Sequence, residues 1–242
     1  MHITYRPMTA TEAWTYIEKL HQSFHSHLKH FGYKYDMNIP DHPAMRKMYE
    51  NEKLTLDQIQ KYRDIFISKI YNVNDLKKLD SILAMTAIPA LKTAVNILAP
   101  LAKRWGINLP DKVEIVTTYG DGGAYDSGGA WIIKMFRPGK SYNPLVFERE
   151  SVHEFIHLLI EWPIIKKYNV PQDLKERIVD IIGQEYCNIP VDDMFDNQRF
   201  EDSFANKYIT REAIENDLPG AVRQMMNDYT VFKVGQQLNF EL

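Results

Sequence analysis

The stretch SVHEFIH at residues 151–157 contains the pattern H-E-x-x-H within a run of helical periodicity. Histidines four residues apart lie on the same face of a helix. His153 and His157 can therefore both reach a single Zn²⁺ at about 2.0–2.1 Å. The stretch predicts a buried helix that carries a metal site, with one zinc ion per chain.

Three acidic residues extend this pattern. Glu154 would flank the ion without ligating it, where its carboxylate can accept a proton from an activated water and pass it to a leaving amine. Eighteen residues separate His157 from Glu176, which lies on the next predicted helix and can supply a third zinc ligand. Asp180 follows one turn later and can accept a hydrogen bond from a ligating imidazole. Ligation by Asp180 in place of Glu176 is the alternative.

The complete spacing, H-E-x-x-H followed after eighteen residues by E-x-x-x-D, resembles that of the gluzincin metallopeptidases, the clan of thermolysin-like and aminopeptidase N-like enzymes. The resemblance implies that His153, His157 and Glu176 bind zinc. It implies that Glu154 is the general base and that Asp180 orients a ligand histidine. It also implies a small sheet before the metal-bearing helix, with an edge strand that binds the substrate backbone in extended form.

The chain departs from this clan after the second histidine. No histidine follows His157, so the one that stabilises the tetrahedral intermediate in thermolysin-like enzymes is missing. A tyrosine, as in aminopeptidase N-like enzymes, is the alternative oxyanion donor. Tyr186 and Tyr208 are the chosen candidates. The other residues considered for this role are Tyr168, Tyr229, Arg199, Arg211 and Arg223. The exopeptidase signature G-x-M-E-N is absent, so specificity for a free N-terminus is not predicted.

The expected fold class is α+β and mainly α-helical, with a small β-sheet packed beside the H-E-x-x-H helix in a zincin-like catalytic core. Residues 1–109 are predicted as an N-terminal helical region and residues 110–242 as the catalytic region, in two domains or one compact unit. Residues 113–118 and 130–136 have strand patterns and are expected to form a hairpin or small sheet around a glycine-rich turn.

Local signals also predict where the helices begin and end. Thr9 and Glu12 have capping-box spacing at the start of a helix of about five turns. A second helical pattern, at residues 75–104, is expected to kink or divide at Pro89. Asn143 is a good N-cap before Pro144 for the metal-bearing helix, and helical periodicity ends at residue 160. The next helix is expected to start at residues 171–173 and to run through residue 182.

Composition and charge limit the classes of binding partner that we expect. There are 29 basic and 32 acidic side chains, giving a net charge of -3, which does not favour nucleic acid. The apolar stretch at residues 82–102 is interrupted by prolines and polar residues, so it is interpreted as core and no membrane partner is expected. The N-terminus lacks a signal-peptide pattern and Cys187 is the lone cysteine, so a cytoplasmic location is expected. The oligomeric state is not predicted.

A second group of histidines lies near residue 25. His21 and His25 are four residues apart, and His27 and His30 are three apart. No carboxylate base lies in a matching pattern beside them. The group is therefore interpreted as a solvated or packed helix face.

The predicted activity is zinc-dependent hydrolysis of a peptide bond in a peptide or protein substrate. The alternative is a non-catalytic zinc-binding or regulatory protein with a degenerate peptidase fold. The number of ligands separates the two, because a structural zinc site has four protein ligands and a catalytic site keeps one position open.

Overall fold

The computed structural model of the chain describes residues 1–26, 39–120, 123–136, 143–189 and 203–240. These residues form a mainly α-helical α+β fold with one four-stranded sheet, as the sequence predicts. The strands are β1 (His2–Pro7), β2 (Lys112–Tyr119), β3 (Gly123–Asp126) and β4 (Trp131–Phe136). The α-helices are α1 (Ala10–Ser26), α2 (Pro43–Glu50), α3 (Leu56–Ile65), α4 (Val73–Lys77), α5 (Asp80–Met85), α6 (Ala87–Arg104), α7 (Pro144–Ile160), α8 (Gln172–Cys187), α9 (Arg211–Asn216) and α10 (Leu218–Phe240). Two π-helical segments, Phe66–Ile70 and Glu161–Lys166, follow α3 and α7, and a short 3₁₀ helix spans Ser203–Lys207.

The sheet has the strand order β1-β2-β4-β3. Strand β2 is parallel to both β1 and β4, whereas β3 is antiparallel to β4. The predicted small sheet is therefore present. The alternative prediction, a hairpin between the two predicted strands, is wrong, because these strands are parallel. The hairpin joins β3 and β4 through a turn at residues 127–130, where the Asp126 carboxylate accepts hydrogen bonds from the amides of Gly128 and Gly129.

Strand β1 was not predicted, and it lies within the stretch expected to be helical. It pairs with β2 in parallel, so that Ile3 lies opposite Val113 and Tyr5 opposite Ile115. A parallel pair needs a long connection, and here the connection contains helices α1–α6. The first 109 residues therefore contribute an edge strand as well as helices.

Local signals located several helix boundaries correctly. The Thr9 hydroxyl accepts from the Glu12 amide, and the Glu12 carboxylate accepts from the Thr9 amide, which completes the capping box. At the start of α7, the Asn143 side chain accepts from the Leu145 amide, and Pro144 occupies the first helical turn. Helix α7 ends at residue 160 as predicted, and the chain continues as a π-helix.

Two other helix boundaries differ from the prediction by a few residues. The predicted division at Pro89 occurs at Thr86 and leaves Pro89 in the first turn of α6, where a missing amide is tolerated. Helix α8 continues to Cys187 and ends on Asn188 in the left-handed conformation. Gly183 lies inside α8, where a Cβ would lie 2.8 Å from Cδ1 of Ile189, so the glycine permits close packing there.

Helix α7 lies at the centre of the packing that forms the site. It contacts α6 and α8 on the helical side and β3 and β4 on the sheet side. Its buried apolar residues join a hydrophobic core shared with β2, β4, α6 and α8. The buried apolar residues of α7 are Phe147, Val152, Phe155, Ile156, Leu159 and Ile160. The predicted metal-bearing helix is therefore packed against helices on one side and against the sheet on another.

No single helix among the described residues is long and apolar enough to cross a membrane. The stretches Val73–Met85 and Ala87–Arg104 pass that test only as a pair, and they are bent by 45° at their break. Their apolar side chains are buried in the hydrophobic core, as residues 82–102 were expected to be. The buried leucines of this pair are Leu76, Leu79, Leu83, Leu91, Leu98 and Leu101.

Candidate metal centre

Three side chains from α7 and α8 meet between the two helices. The Nε2 atoms of His153 and His157 lie 3.0 Å apart, and Oε2 of Glu176 lies 3.3 Å from the first and 3.1 Å from the second. Both histidines are buried, and the glutamate side chain is 12% exposed. Within the described ranges, this is the one group of three or more histidine, cysteine, aspartate or glutamate side chains that could hold a metal ion.

The triangle of ligand atoms has the size that a single ion requires. Around a tetrahedral zinc with bonds of about 2.0–2.1 Å, neighbouring ligand atoms are about 3.3 Å apart. The three observed separations are 3.0, 3.1 and 3.3 Å. Because two imidazole nitrogens and a carboxylate oxygen already face one another, an ion could bind without rearrangement of the helices.

The neighbours of this triad orient two of its three members. Nδ1 of His153 lies 3.0 Å from Oδ1 of the buried Asp180, so a neutral ring that donates there presents the lone pair of Nε2 to an ion. Oε1 of Glu176 accepts a hydrogen bond from Gln172 and lies 3.6 Å from Nζ of Lys175. These contacts leave Oε2 of Glu176 directed at the histidines.

The electrostatics of the metal-free triad reflect its mutual contacts. Burial lowers the pKa of His153, but the contacts with Asp180 and Glu176 more than offset this effect and raise the pKa to about 10. Burial raises the pKa of Glu176, but the two histidines lower it by more, so the pKa lies well below its usual range. The site therefore stabilises positive charge between its carboxylates, the environment that a divalent cation requires.

Glu154 lies beside the triad and next to β3. A Cβ placed on Gly123 would lie 3.2 Å from Oε1 of Glu154 and 3.5 Å from Nζ of Lys134, so the glycine leaves room for both groups. Burial raises the pKa of Glu154, and the charges of His153, His157 and Lys134 only partly offset this effect. The carboxylate therefore has an increased proton affinity beside the triad.

Tyr125 is a neighbour of the site that sequence reasoning did not identify. It projects from β3, and its ring stacks on His157 with the centroids 4.7 Å apart and the planes inclined by 6°. Its hydroxyl donates to Oε2 of Glu161 at 2.8 Å and accepts from Nζ of Lys175 at 3.2 Å. Burial, followed by the charge of Glu161, raises the pKa of Tyr125 above its usual range.

The available sequence signals did not reveal these neighbours. Tyr125 lies within the glycine-rich segment that was interpreted as a turn, and Glu161 lies just beyond the predicted helix end. Lys175 immediately precedes Glu176, but no sequence pattern singled it out. Because α7 and β3 are brought together by tertiary packing, spacing along the chain could not reveal the contact.

The structure gives the two tyrosines proposed as oxyanion donors other partners. The Tyr186 hydroxyl has two acceptors within hydrogen-bond distance, Oε1 of Glu215 at 3.1 Å and the carbonyl oxygen of Arg211 at 3.2 Å, while the Tyr208 hydroxyl donates to Oδ2 of Asp228. Tyr186 lies ten residues after Glu176 on α8, about 15 Å along the helix axis. The observed contacts therefore connect these hydroxyls to the C-terminal helices. Arg199, another candidate donor, lies outside the described residues.

Comparison with known proteins adds no relative. No family model matches the sequence, and neither the curated proteins nor the solved structures contain a match. Arguments about function therefore depend on the site itself.

Proposed function

We propose that the protein is a zinc-dependent peptidase whose reacting centre lies between α7, α8 and strand β3. The observation that carries this proposal is the convergence of His153, His157 and Glu176 to within 3.0–3.3 Å of one another. The carboxylate of Glu154 interacts electrostatically with all three of these residues. The donor set and the adjacent carboxylate are those that metal-assisted hydrolysis requires.

Zinc is the ion that suits this donor set best. The two imidazoles are borderline ligands that favour zinc over the hard cations Mg²⁺ and Ca²⁺, which prefer oxygen ligands, and zinc also accepts a carboxylate. Among the described residues, the cluster offers three protein ligands and no fourth. Three ligands with an open position are typical of catalytic zinc, so this observation supports hydrolysis over a purely structural site.

In the proposed mechanism, the protein's main chemical task is proton transfer. Bound zinc would polarise the peptide carbonyl and lower the pKa of water. Glu154 would accept a proton from the attacking water and deliver it to the leaving amine, and its raised pKa suits both steps. Asp180 would keep the ring of His153 in the tautomer that presents Nε2.

Strand β3 is the proposed binding site for the substrate backbone. It lies at one end of the strand order, and within the described residues it pairs only with β4. An extended peptide could add to its other edge as a further strand, with backbone hydrogen bonds in register. Gly123 would bring that backbone close to Glu154, because no Cβ intervenes.

Replacement of Glu154 by glutamine tests the proposal. The variant keeps the shape of the side chain but removes the base, so we expect peptide turnover to fall by about 10²–10⁴-fold while zinc content is unchanged. Glu148→Gln is a matched control, because Glu148 is an exposed glutamate on the same helix. Turnover would be measured with a peptide library and zinc by elemental mass spectrometry.

Three outcomes would contradict the proposal. Full turnover by Glu154→Gln with zinc bound would exclude the assigned base. A wild-type protein that binds zinc but cleaves no library peptide would favour the non-catalytic alternative. Failure of the wild type to bind zinc after reconstitution would rule out the metal centre itself.

A further inference from the structure

The two histidines of the triad are held in different ways. Nδ1 of His153 contacts Asp180, the usual arrangement by which a protein orients a ligand imidazole. Nδ1 of His157 is buried, and no hydrogen-bond partner for it lies among the described residues. The ring of His157 therefore needs another source of orientation if Nε2 is to face the other two ligand atoms.

The ring of Tyr125 provides such a contact. It lies face to face with His157, with 6° between the planes and 4.7 Å between the centroids. Nearly parallel rings at this separation restrict rotation of the imidazole about its bond to Cβ, because rotation would drive its edge into the tyrosine. The His153 ring meets His157 at 73°, so these two rings are not stacked.

The tyrosine is itself fixed at its hydroxyl. Lys175 donates to this oxygen from α8, and the oxygen donates to Glu161, one turn after His157. The side chain of Lys175 is 11% exposed and that of Glu161 is 7% exposed, so both partners are largely shielded from water. Tyr125 is thereby connected to α8 and to the π-helical segment that continues α7.

We propose that Tyr125 is a positioning residue for the metal centre, which orients His157 by stacking in place of a hydrogen bond to Nδ1. This inference rests on the proposed function, because it assigns His157 as a ligand. It makes the direction of the His157 Nε2 lone pair depend on the position of β3. The strand proposed to bind substrate is then also the strand that aligns one ligand.

Two substitutions separate the ring of Tyr125 from its hydroxyl. Tyr125→Ala removes both, and we expect zinc affinity to fall by about 10–100-fold, as for loss of other groups that orient ligands. Tyr125→Phe keeps the stack and removes the two hydroxyl contacts, so we expect a smaller loss. Affinity would be measured by competition with a chromophoric chelator. The visible absorption spectrum of the Co²⁺-substituted protein would report the ligand geometry.

Matched control variants come from Tyr71. Its hydroxyl donates to the carbonyl of Met8, and its ring packs against Phe66 and Tyr119, away from the triad. Tyr71→Phe and Tyr71→Ala should bind zinc as the wild type does. Circular dichroism and thermal unfolding without metal would test the folding of each variant. If Tyr125→Ala does not fold, Tyr125→Leu replaces it, because leucine keeps apolar bulk without a stacking face.

Wild-type affinity and an unchanged Co²⁺ spectrum in Tyr125→Ala, or in its leucine substitute, would overturn the proposal. Unchanged affinity in Tyr125→Phe would overturn the role of the hydroxyl contacts. If the wild type binds no metal, NMR of the metal-free protein decides the positioning role separately. Loss in Tyr125→Ala of the nuclear Overhauser contacts between the His157 and His153 rings, whose centroids lie 4.7 Å apart, would support orientation by Tyr125, and unchanged contacts would refute it.

Discussion

Helices α1 and α7 each carry two histidines four residues apart, and in both pairs the ring centroids are separated by 4.7 Å. On α1, Nε2 of His21 lies 2.8 Å from the carbonyl oxygen of Asn51, and Nε2 of His25 lies 3.0 Å from that of Tyr49. These histidines fasten α1 to the end of α2. The Nε2 atoms of this pair are therefore used to satisfy backbone carbonyls.

The pair on α7 differs in what surrounds it. Its Nε2 atoms face each other and a carboxylate from α8, and Asp180 lies behind His153. Spacing alone places two imidazoles side by side on either helix. A metal site also requires carboxylates from a neighbouring helix, and only α7 has them in the described part of the chain.

Removal of both histidines from each helix gives the largest expected contrast. The His153→Ala/His157→Ala variant should contain no zinc, whereas wild type and His21→Ala/His25→Ala should each contain about one zinc per chain. The measurement is elemental mass spectrometry after reconstitution and removal of loosely bound metal. Zinc loss in the α1 variant with retention in the α7 variant would reverse the assignment.

The carboxylates that distinguish α7 should not be equivalent. Asp180→Ala removes only the partner of a ligand, so we expect zinc affinity to fall by about 10–100-fold. Glu176→Ala removes a ligand itself, so we expect a larger loss of zinc affinity. Competitive zinc titration measures both, and Glu185→Ala, at an exposed position on α8, is the control. The reverse order would identify Asp180 as the ligand.

A structural role for the α1 pair predicts an effect on stability. His21→Ala removes the group that contacts the Asn51 carbonyl, so we expect the free energy of unfolding to fall by about 1–3 kcal/mol, with no change in zinc content. Urea unfolding measures the change, and Gln22→Ala reports the effect of an exposed neighbour on the same helix. Equal stability of the two variants would contradict the role assigned to His21.

The smallest expected effect concerns a carboxylate at the other end of α1. A hydrogen bond from Arg6 lowers the pKa of Glu12 to about 2, below its value in an unfolded chain, so ionised Glu12 stabilises the fold above about pH 4.5. That stability is lost as pH falls through about 2. Because the pair is partly exposed and screened, Glu12→Gln should cost about 1 kcal/mol at pH 7.

The pH dependence provides the check on this prediction. Urea unfolding gives the free energy of unfolding of wild type and of Glu12→Gln. The difference between the two should shrink toward zero as the pH is lowered from 7. A difference that persists unchanged at pH 2 would show that the carboxylate's charge is not its source. Because Glu12 lies at the start of α1, its replacement should leave zinc binding at α7 unchanged.

The fold could be predicted where the determining contacts are close in sequence. The capping box at Thr9 and the N-cap at Asn143 involve residues within three positions of each other, so both were identified correctly. Strand β1 was missed because its partner is 110 residues away. The direction of β4 was also missed, because pairing between strands depends on the path of the chain between them.

The sequence by itself determined that His153 and His157 share a helix face with Glu154 between them, because helical geometry depends only on local spacing. The distance to Glu176 made a third ligand predictable. Only the tertiary structure decided that α8 docks with this carboxylate against the histidines. It also decided that Tyr125 covers His157, since β3 reaches α7 through packing of the sheet against the helix, which no spacing along the chain encodes.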